Sequence, residues 1–248
     1  FLLSKFNISV PVRDRTFVDR LFCATSWYGT PFASFARAVC GVAIWKPHYT
    51  TDWVFQPFAP ITRDSSRLYL NGFFQAHQFP QRVEQRLRHE LVFREPPTGK
   101  NLETLQRIRN ARSAVSVHIR RGDYTLIYNG RDALPVSYYR NSIQTILNSY
   151  PDATFFVFSD DIAFARQNLP RPANLIFVDH NDASTAHEDL RLMAACHHHI
   201  IANSTFSWWG AWLNPNPEKL VLAPDRWLDP AVPHPDLIPP IWHRIPAH

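Results

Sequence analysis

The pattern of hydrophobic and polar positions divides the chain in two. From Val115 onward it is regular. Val115, Val117 and Ile119 alternate with Ser116, His118 and Arg120, the period-two pattern of a β-strand. The pattern breaks at Arg121-Gly122-Asp123, a turn composition. Further strands are predicted over Thr154–Phe158, Leu175–Val178, His199–Ala202 and Leu220–Ala223. Helices are predicted over Ser137–Ser149, from Ser159-Asp160-Asp161 to Asn168, from Thr185 to His197, and over Phe206–Leu213. Thr185 and Glu188 stand at capping-box spacing, each placed to satisfy an orphan amide. Strands alternating with helices predict a parallel sheet flanked by helices, a Rossmann-like α/β unit. Pro224 to His248 is proline-rich and without period, and is expected as a tail packed back over that unit.

Upstream the pattern is weaker. Residues 1–80 are aromatic and proline-bearing, with short strands expected at Leu21–Cys23, at Gly41–Trp45, and over Leu68–Gln75 with a turn at Asn71-Gly72. Val83, Leu87 and Leu91, then Leu102, Leu105 and Ile108, follow helical spacing. Pro96-Pro97-Thr98-Gly99 separates these two helices. The division read from this is residues 1–112, with connecting helices, and residues 113–248.

Composition narrows the class. With 248 residues, 45% hydrophobic and 14% aromatic, the chain can bury a substantial core in one large or two modest domains. Its net charge is +5, and arginine carries it: the lysines are Lys5, Lys46, Lys100 and Lys219. A basic balance admits phosphate-bearing partners, but there is no Lys/Arg run or nucleic-acid motif, so no nucleic-acid partner is expected. Cys23, Cys40 and Cys196 follow no disulfide or metal spacing and read as reduced thiols. No secretory or membrane-spanning segment is visible. The first residue is Phe1 and the only methionine is Met193, so residues upstream of Phe1 are expected in the intact protein.

In a parallel sheet three strand ends share one edge: His118–Asp123, Ser159–Asp161 and Asn203–Ser207. Ligands of open α/β sheets sit there. Arg120 and Arg121 present two planar forks suited to a dianion or diphosphate; alternatively they form a surface Arg-Asp turn. Asn203-Ser204-Thr205 opens a helix, so its amides and hydroxyls cap the helix and can also bind an anion. Asp160-Asp161 reads as helix capping rather than as a metal pair. Asp189 is either a favourable first-turn carboxylate or a reader of a purine's N–H groups. His197-His198-His199 cannot converge on one tetrahedral ion, and no metal site is expected. Trp208, Trp209 and Trp212 read as core. Asn7-Ile8-Ser9 and Asn203-Ser204-Thr205 match the glycosylation sequon, the second falling in the cleft.

These motifs resemble the bacterial α-1,2-fucosyltransferases of glycosyltransferase family 11. The resemblance runs through His118–Tyr124, Phe158–Asp161, Asp189–Met193, Asn203–Leu213 and Ala223–Trp227, with weaker matches at Lys5–Ile8 and Gly72–Gln75. It implies a GT-B-like plan of two Rossmann-like domains, with residues 1–112 the remnant of an N-terminal acceptor-side domain and residues 113–248 the GDP-fucose domain. It implies that Arg120 and Arg121 hold the diphosphate and that His118 and Asp189 recognise guanine or its ribose. Ser204, Thr205, Phe206 and Ser207 would close the pocket, with Ser159, Asp160 and Asn203 completing the donor contacts. No metal or other cofactor is implied. The family's Gly-Leu-Gly-Asn-Gln type motif has no match here, so the first strand, glycine loop and helix are expected to lie outside this chain.

The reaction implied is transfer of L-fucose from GDP-β-L-fucose to the 2-hydroxyl of a galactose-terminated glycan, with inversion. Arg120, Arg121 and the Asn203–Ser207 amides would stabilise charge growing on the diphosphate. Asp123 is the nearest carboxylate to act as base; the other reading gives it only the task of orienting the arginine turn. The alternative function is an inactive, N-terminally truncated nucleotide- or glycan-binding fragment. The expected location is a bacterial cytoplasm or the cytoplasmic face of its membrane, which leaves room for peripheral membrane association.

Overall fold

A computed structural model of the chain describes residues 2–9, 42–45, 67–70, 75–125, 133–170, 174–227 and 236–247. The expected strand Leu21–Cys23, the Asn71-Gly72 turn, Cys23 and Cys40 lie outside these residues. Strands β1 (Val42–Trp45) and β2 (Arg67–Leu70) form a parallel pair. Helices α1 (Gln78–Arg82), α2 (Glu84–Glu90) and α3 (Gly99–Asn110) lead into the main sheet. There follow β3 (Ala114–Ile119), α4 (Val136–Ser149), β4 (Thr154–Ser159), α5 (Ile162–Asn168) and β5 (Leu175–Phe177). The second run is α6 (Ala186–Ala195), β6 (His198–Ile200), α7 (Thr205–Leu213), β7 (Val221–Pro224) and β8 (His243–Ile245).

The six strands are ordered β5-β4-β3-β6-β7-β8 and every pairing is parallel. This is the doubly wound order of a Rossmann fold. The direction of strand progression reverses between β3 and β6, so a crevice opens beyond their carboxyl ends.

Alternation along the strands sorts side chains between two helical layers. Val115, Val117, Ile119, Phe155 and Val157 pack with Tyr138, Ile143 and Ile146 of α4 and Ala165 of α5. Ala114, Phe156 and Phe158 take the opposite face, against Leu105 and Ile108 of α3 and Leu192 and Met193 of α6. Both faces are covered, so every residue of β3 is buried, including polar Ser116 and His118. Tyr138 ties the first layer to the sheet: its hydroxyl reaches Ile201 O at 2.6 Å and Leu222 O at 3.2 Å.

A third cluster joins Trp208 and Trp212 of α7 to Trp227, Leu237, Ile238 and Trp242. Trp208 and Trp212 are therefore core, as their helical spacing predicts, and Trp209 packs half-buried against them. Trp208 Nε1 donates to Leu237 O at 3.0 Å. Arg88 of α2 lies over the Trp212 ring, 4.7 Å from its centroid, and donates to the carbonyls of Trp212 and Leu213 at the end of α7.

Three expectations are corrected. The segment after Pro224 is not only a tail: His243–Ile245 adds the parallel edge strand β8, with Leu222 opposite His243. Asp225 continues the join, accepting from Ala247 N at 3.0 Å. The capping box does not form. Thr185 makes no side-chain cap; its Oγ1 instead accepts from Asp182 N at 2.8 Å, and Glu188 pairs with Arg191 at 2.9 Å. Of the apolar positions expected to share a helix face, Leu105 and Ile108 are buried, but Leu102, in the first turn of α3, is 40% exposed, and Val83 is 50% exposed, at the break that divides α1 from α2.

The three histidines are structural. His197 Nδ1 accepts from Ala114 N at 3.0 Å and His198 Nδ1 from Leu220 N at 3.1 Å, so each ring satisfies an amide beside a strand start. His199 is fully buried between Ser116 Oγ, 2.8 Å from Nδ1, and Asn214 Nδ2, 2.7 Å from Nε2. Because the Asn214 amide donates, Nε2 is the acceptor and Nδ1–H donates to Ser116. Burial holds the ring's pKa well below its ordinary value, and it is neutral.

Candidate functional site

The crevice at the sheet's reversal is walled by the ends of β3 and β6. Past Ile119 the chain makes a turn and a short 3-10 helix, Asp123–Thr125. Past Ile200 it runs through Asn203 into α7. A hydrogen bond spans the two walls: Tyr124 Oη donates to Asn203 O at 3.1 Å. Asn203 is 1% exposed and its Nδ2 donates to Trp227 O at 2.5 Å, which fixes this corner to the tryptophan cluster.

His118 lies inside the first wall. It is 5% exposed, its ring centroid is 5.6 Å from that of Phe206, and its Nδ1 has no hydrogen-bond partner. Burial, and then the Arg120 guanidinium, push the imidazole pKa down to about 3. The ring is neutral at physiological pH, and it can donate or accept a hydrogen bond but not carry charge.

Both arginines of the turn are in ion pairs. Arg120 Nη2 is 2.8 Å from Asp123 Oδ1, and Nη1 is 3.0 Å from Asp160 Oδ2. The Arg121 guanidinium stacks 3.5 Å from the Phe164 centroid, with Nε 3.4 Å from Asp161 Oδ2. Asp123 is thus held in an ion pair with the arginine turn, its side chain half exposed. Asp161 caps α5, accepting from Phe164 N at 3.0 Å. Asp160 does not cap; it faces β3's turn and accepts from Arg121 N at 2.8 Å. Ser159 Oγ accepts from Asp161 N at 2.9 Å and shapes the β4 turn.

On the second wall, Ser204 caps α7 by accepting from Phe206 N at 3.3 Å. Thr205 is exposed and Phe206 half-buried at the mouth. Ser207 is turned inward, its hydroxyl on the Ala202 and Ser204 carbonyls at 3.4 and 3.2 Å.

Asp189 belongs to a separate group, beyond the end of β5. Its Oδ1 accepts from Asn181 Nδ2 at 2.7 Å. The Asn181 and Asn101 amides exchange reciprocal hydrogen bonds at 2.9 and 3.0 Å, and His180 Nε2 reaches Asn101 Oδ1 at 2.9 Å. Burial raises the Asp189 pKa to about 6, against the opposing Asn181 hydrogen bond. The sequence alone does not single out Asn101 and Asn181, which complete the Asp189 group, or the Tyr124 hydroxyl that joins the two walls. Asn181 was visible as the polar residue closing Asp179-His180-Asn181 at the end of a predicted strand.

An arginine-bearing turn, a helix N-terminus and a partly buried carboxylate lie along one edge of a Rossmann sheet, the edge where such sheets bind nucleotides. Residues 59–233 match the model of glycosyl transferase family 11. The chain belongs to that family. It is similar to the O-antigen biosynthesis glycosyltransferase WbnK of Escherichia coli, with 37% identity over 118 residues, 46% of this chain and 39% of that protein. It is 34% identical over 170 residues to an alpha-1,2-colitosyltransferase of Escherichia coli, covering 64% of this chain and 55% of that one. Galactoside alpha-(1,2)-fucosyltransferase 1 of Alouatta caraya is 24% identical over 188 residues, 72% of this chain and 51% of the relative. The chain therefore spans about half the length of the curated relatives it matches, or less. Among solved structures, that of NodZ alpha-1,6-fucosyltransferase soaked with GDP-fucose matches 63% of this chain and 55% of its own at 15% identity, with a TM-score of 0.41. Among the described residues no helix is long and apolar enough to cross a membrane.

Proposed function

We propose that this chain carries the donor side of a galactoside α-1,2-fucosyltransferase. The reaction is displacement of GDP from GDP-β-L-fucose by a galactose 2-hydroxyl of a glycan acceptor, with inversion and without metal. The observation that carries the reading is the position of Arg120 and Arg121 at the end of β3, across the crevice from the N-terminus of α7.

The transition state separates charge, with an oxocarbenium-like sugar and a diphosphate gaining negative charge. Arginines and helix amides already fixed at that position stabilise the growing charge without reorganisation. On this reading neutral His118, whose Nδ1 has no partner within the fold, hydrogen-bonds the nucleoside, and ionised Asp189 accepts from guanine. Asp123 is paired with Arg120, and it serves as base only if that ion pair opens. Residues 1–112 contribute to the acceptor-side domain of a GT-B-like enzyme in a bacterial cytoplasm or at the cytoplasmic face of its membrane.

Two relatives carry a 1,2 linkage in their names but differ in the sugar, fucosyl or colitosyl. A colitosyl donor is accordingly the second reading. The test is calorimetry with GDP, with and without EDTA, followed by transfer assays with fucosyl and colitosyl donors on galactose-terminated acceptors. GDP binding that survives chelation and an α-1,2-fucosyl product are expected. Loss of binding in EDTA overturns the metal-free clamp. Binding without turnover supports the inactive-fragment reading.

A further inference from the structure

Asp160 stands where a diphosphate contact would be expected, yet it is an anion. It is also held on two sides. Oδ1 accepts from the Arg121 amide at 2.8 Å, and Oδ2 lies 3.0 Å from Arg120 Nη1. One carboxylate from the end of β4 therefore fixes both the backbone and the guanidinium of the β3 turn. Asp123, the other partner of Arg120, sits within the turn itself. Its side chain is 50% exposed, against 26% for Asp160. Of the two, Asp123 is the one an arriving anion can displace.

Gly122 adds an independent observation. A Cβ at this position would stand 2.7 Å from Asp160 Oδ2 and 3.4 Å from Cγ. The turn's backbone approaches the carboxylate so closely that any Cβ here would force the Asp160 side chain to shift. Asp160 is short and anchored at both oxygens, so it cannot swing aside without releasing Arg120 or the Arg121 amide.

We propose that Asp160 is not a donor contact but a positioning residue, a carboxylate against which the Gly122 turn is seated so that Arg120 is held ready for the diphosphate. This rests on the reading of the crevice as a GDP-sugar site. An unanchored arginine would have to lose its rotamer freedom on binding; the Asp160 pair removes that freedom beforehand.

The experiment measures GDP and guanosine affinity by calorimetry and competition, for the wild-type chain and for Asp160→Asn, Asp160→Ala, Gly122→Ala and the Gly122→Ala/Asp160→Ala double variant. The asparagine keeps an acceptor for the Arg121 amide but loses the charge facing Arg120. Asp160→Asn is expected to weaken GDP about tenfold and leave guanosine unchanged, since only the diphosphate meets Arg120. Gly122→Ala is expected to weaken GDP by a similar factor in the wild-type background and to have almost no effect once Asp160→Ala has removed the clashing atoms, a non-additivity diagnostic of direct contact. Equal loss of GDP and guanosine, additive effects, or tighter GDP binding by Asp160→Asn each overturn the proposal. If wild-type chain fails to bind GDP at all, it is the donor-site reading that fails, not the geometry around Asp160.

Discussion

The Tyr124 hydroxyl donates to the Asn203 carbonyl at 3.1 Å, a hydrogen bond that bridges the walls of the crevice. It joins the turn after β3 to the loop after β6. Tyr124→Phe removes it while preserving the ring, whose face lies 5.6 Å from the Arg120 guanidinium. The expected result is a loss of about 1 kcal/mol in urea unfolding, the usual net value of such a bond, with weaker GDP binding. Unchanged stability and affinity would show that the walls hold their spacing without it.

Arg120→Lys keeps the charge but loses the fork. If Arg120 grips the diphosphate most strongly as GDP departs, kcat should fall about 10²-fold with little change in donor KM. Arg121 differs: its guanidinium stacks on Phe164 at 3.5 Å. Arg121→Lys is therefore expected to lower the melting temperature together with activity. Steady-state kinetics and thermal melts separate the two. A pure KM effect at Arg120 would leave it only ground-state binding.

Asp189 carries a pH signature. Its pKa in the folded chain is raised to about 6, above the ordinary carboxylate value, so folded protein binds the extra proton between roughly pH 4 and 6. Stability linked to this group is fully present below pH 4 and lost as pH rises through 6. On the proposed reading GDP recognition would run the other way, because only an ionised carboxylate accepts from the two guanine donors. The preference for GDP over ADP should fall as pH drops below about 6, and Asp189→Ala should weaken GDP more than ADP. A ratio flat from pH 8 to 5, or equal losses for both nucleotides, would reduce Asp189 to a helix-end carboxylate.

His199→Ala should destabilise the fold by about 2–4 kcal/mol, since it leaves a cavity and removes the donor to buried Ser116 Oγ. The urea midpoint of the wild-type chain should not move in EDTA. A midpoint that falls on chelation would return the histidines to metal binding.

Much of this was legible from residue order. Val115–Ile119 and Thr154–Phe158 announced themselves by alternation and by the turns that end them. Strands alternating with helices made the sheet parallel, which placed Arg120, Asp160 and Ser204 along one edge. Edge strand β8 was not legible. It has only three residues, His243 and Arg244 are exposed, and prolines surround it, so its identity comes from pairing with β7. Asp160 was misassigned to capping because adjacent aspartates look equivalent in sequence. Only the β3–β4 register, with Ile119 opposite Ser159, turns one toward Arg120 and leaves the other on α5. The Thr185 box failed because Asp182, three residues earlier, takes the Ser184 and Thr185 amides first.

The Ser116–His199 hydrogen bond links residues 83 apart in the chain. Ribosomes add about 5–20 residues each second, so on the order of ten seconds of synthesis separate the two partners. During that interval β3 can pair with β4 on one side, while its other edge, destined for β6, remains open. An open strand rich in valine and isoleucine is a template for other chains. A central strand of the finished sheet is thus the one that waits longest for its second neighbour, and a nascent-chain binder guarding that edge would act before the crevice exists.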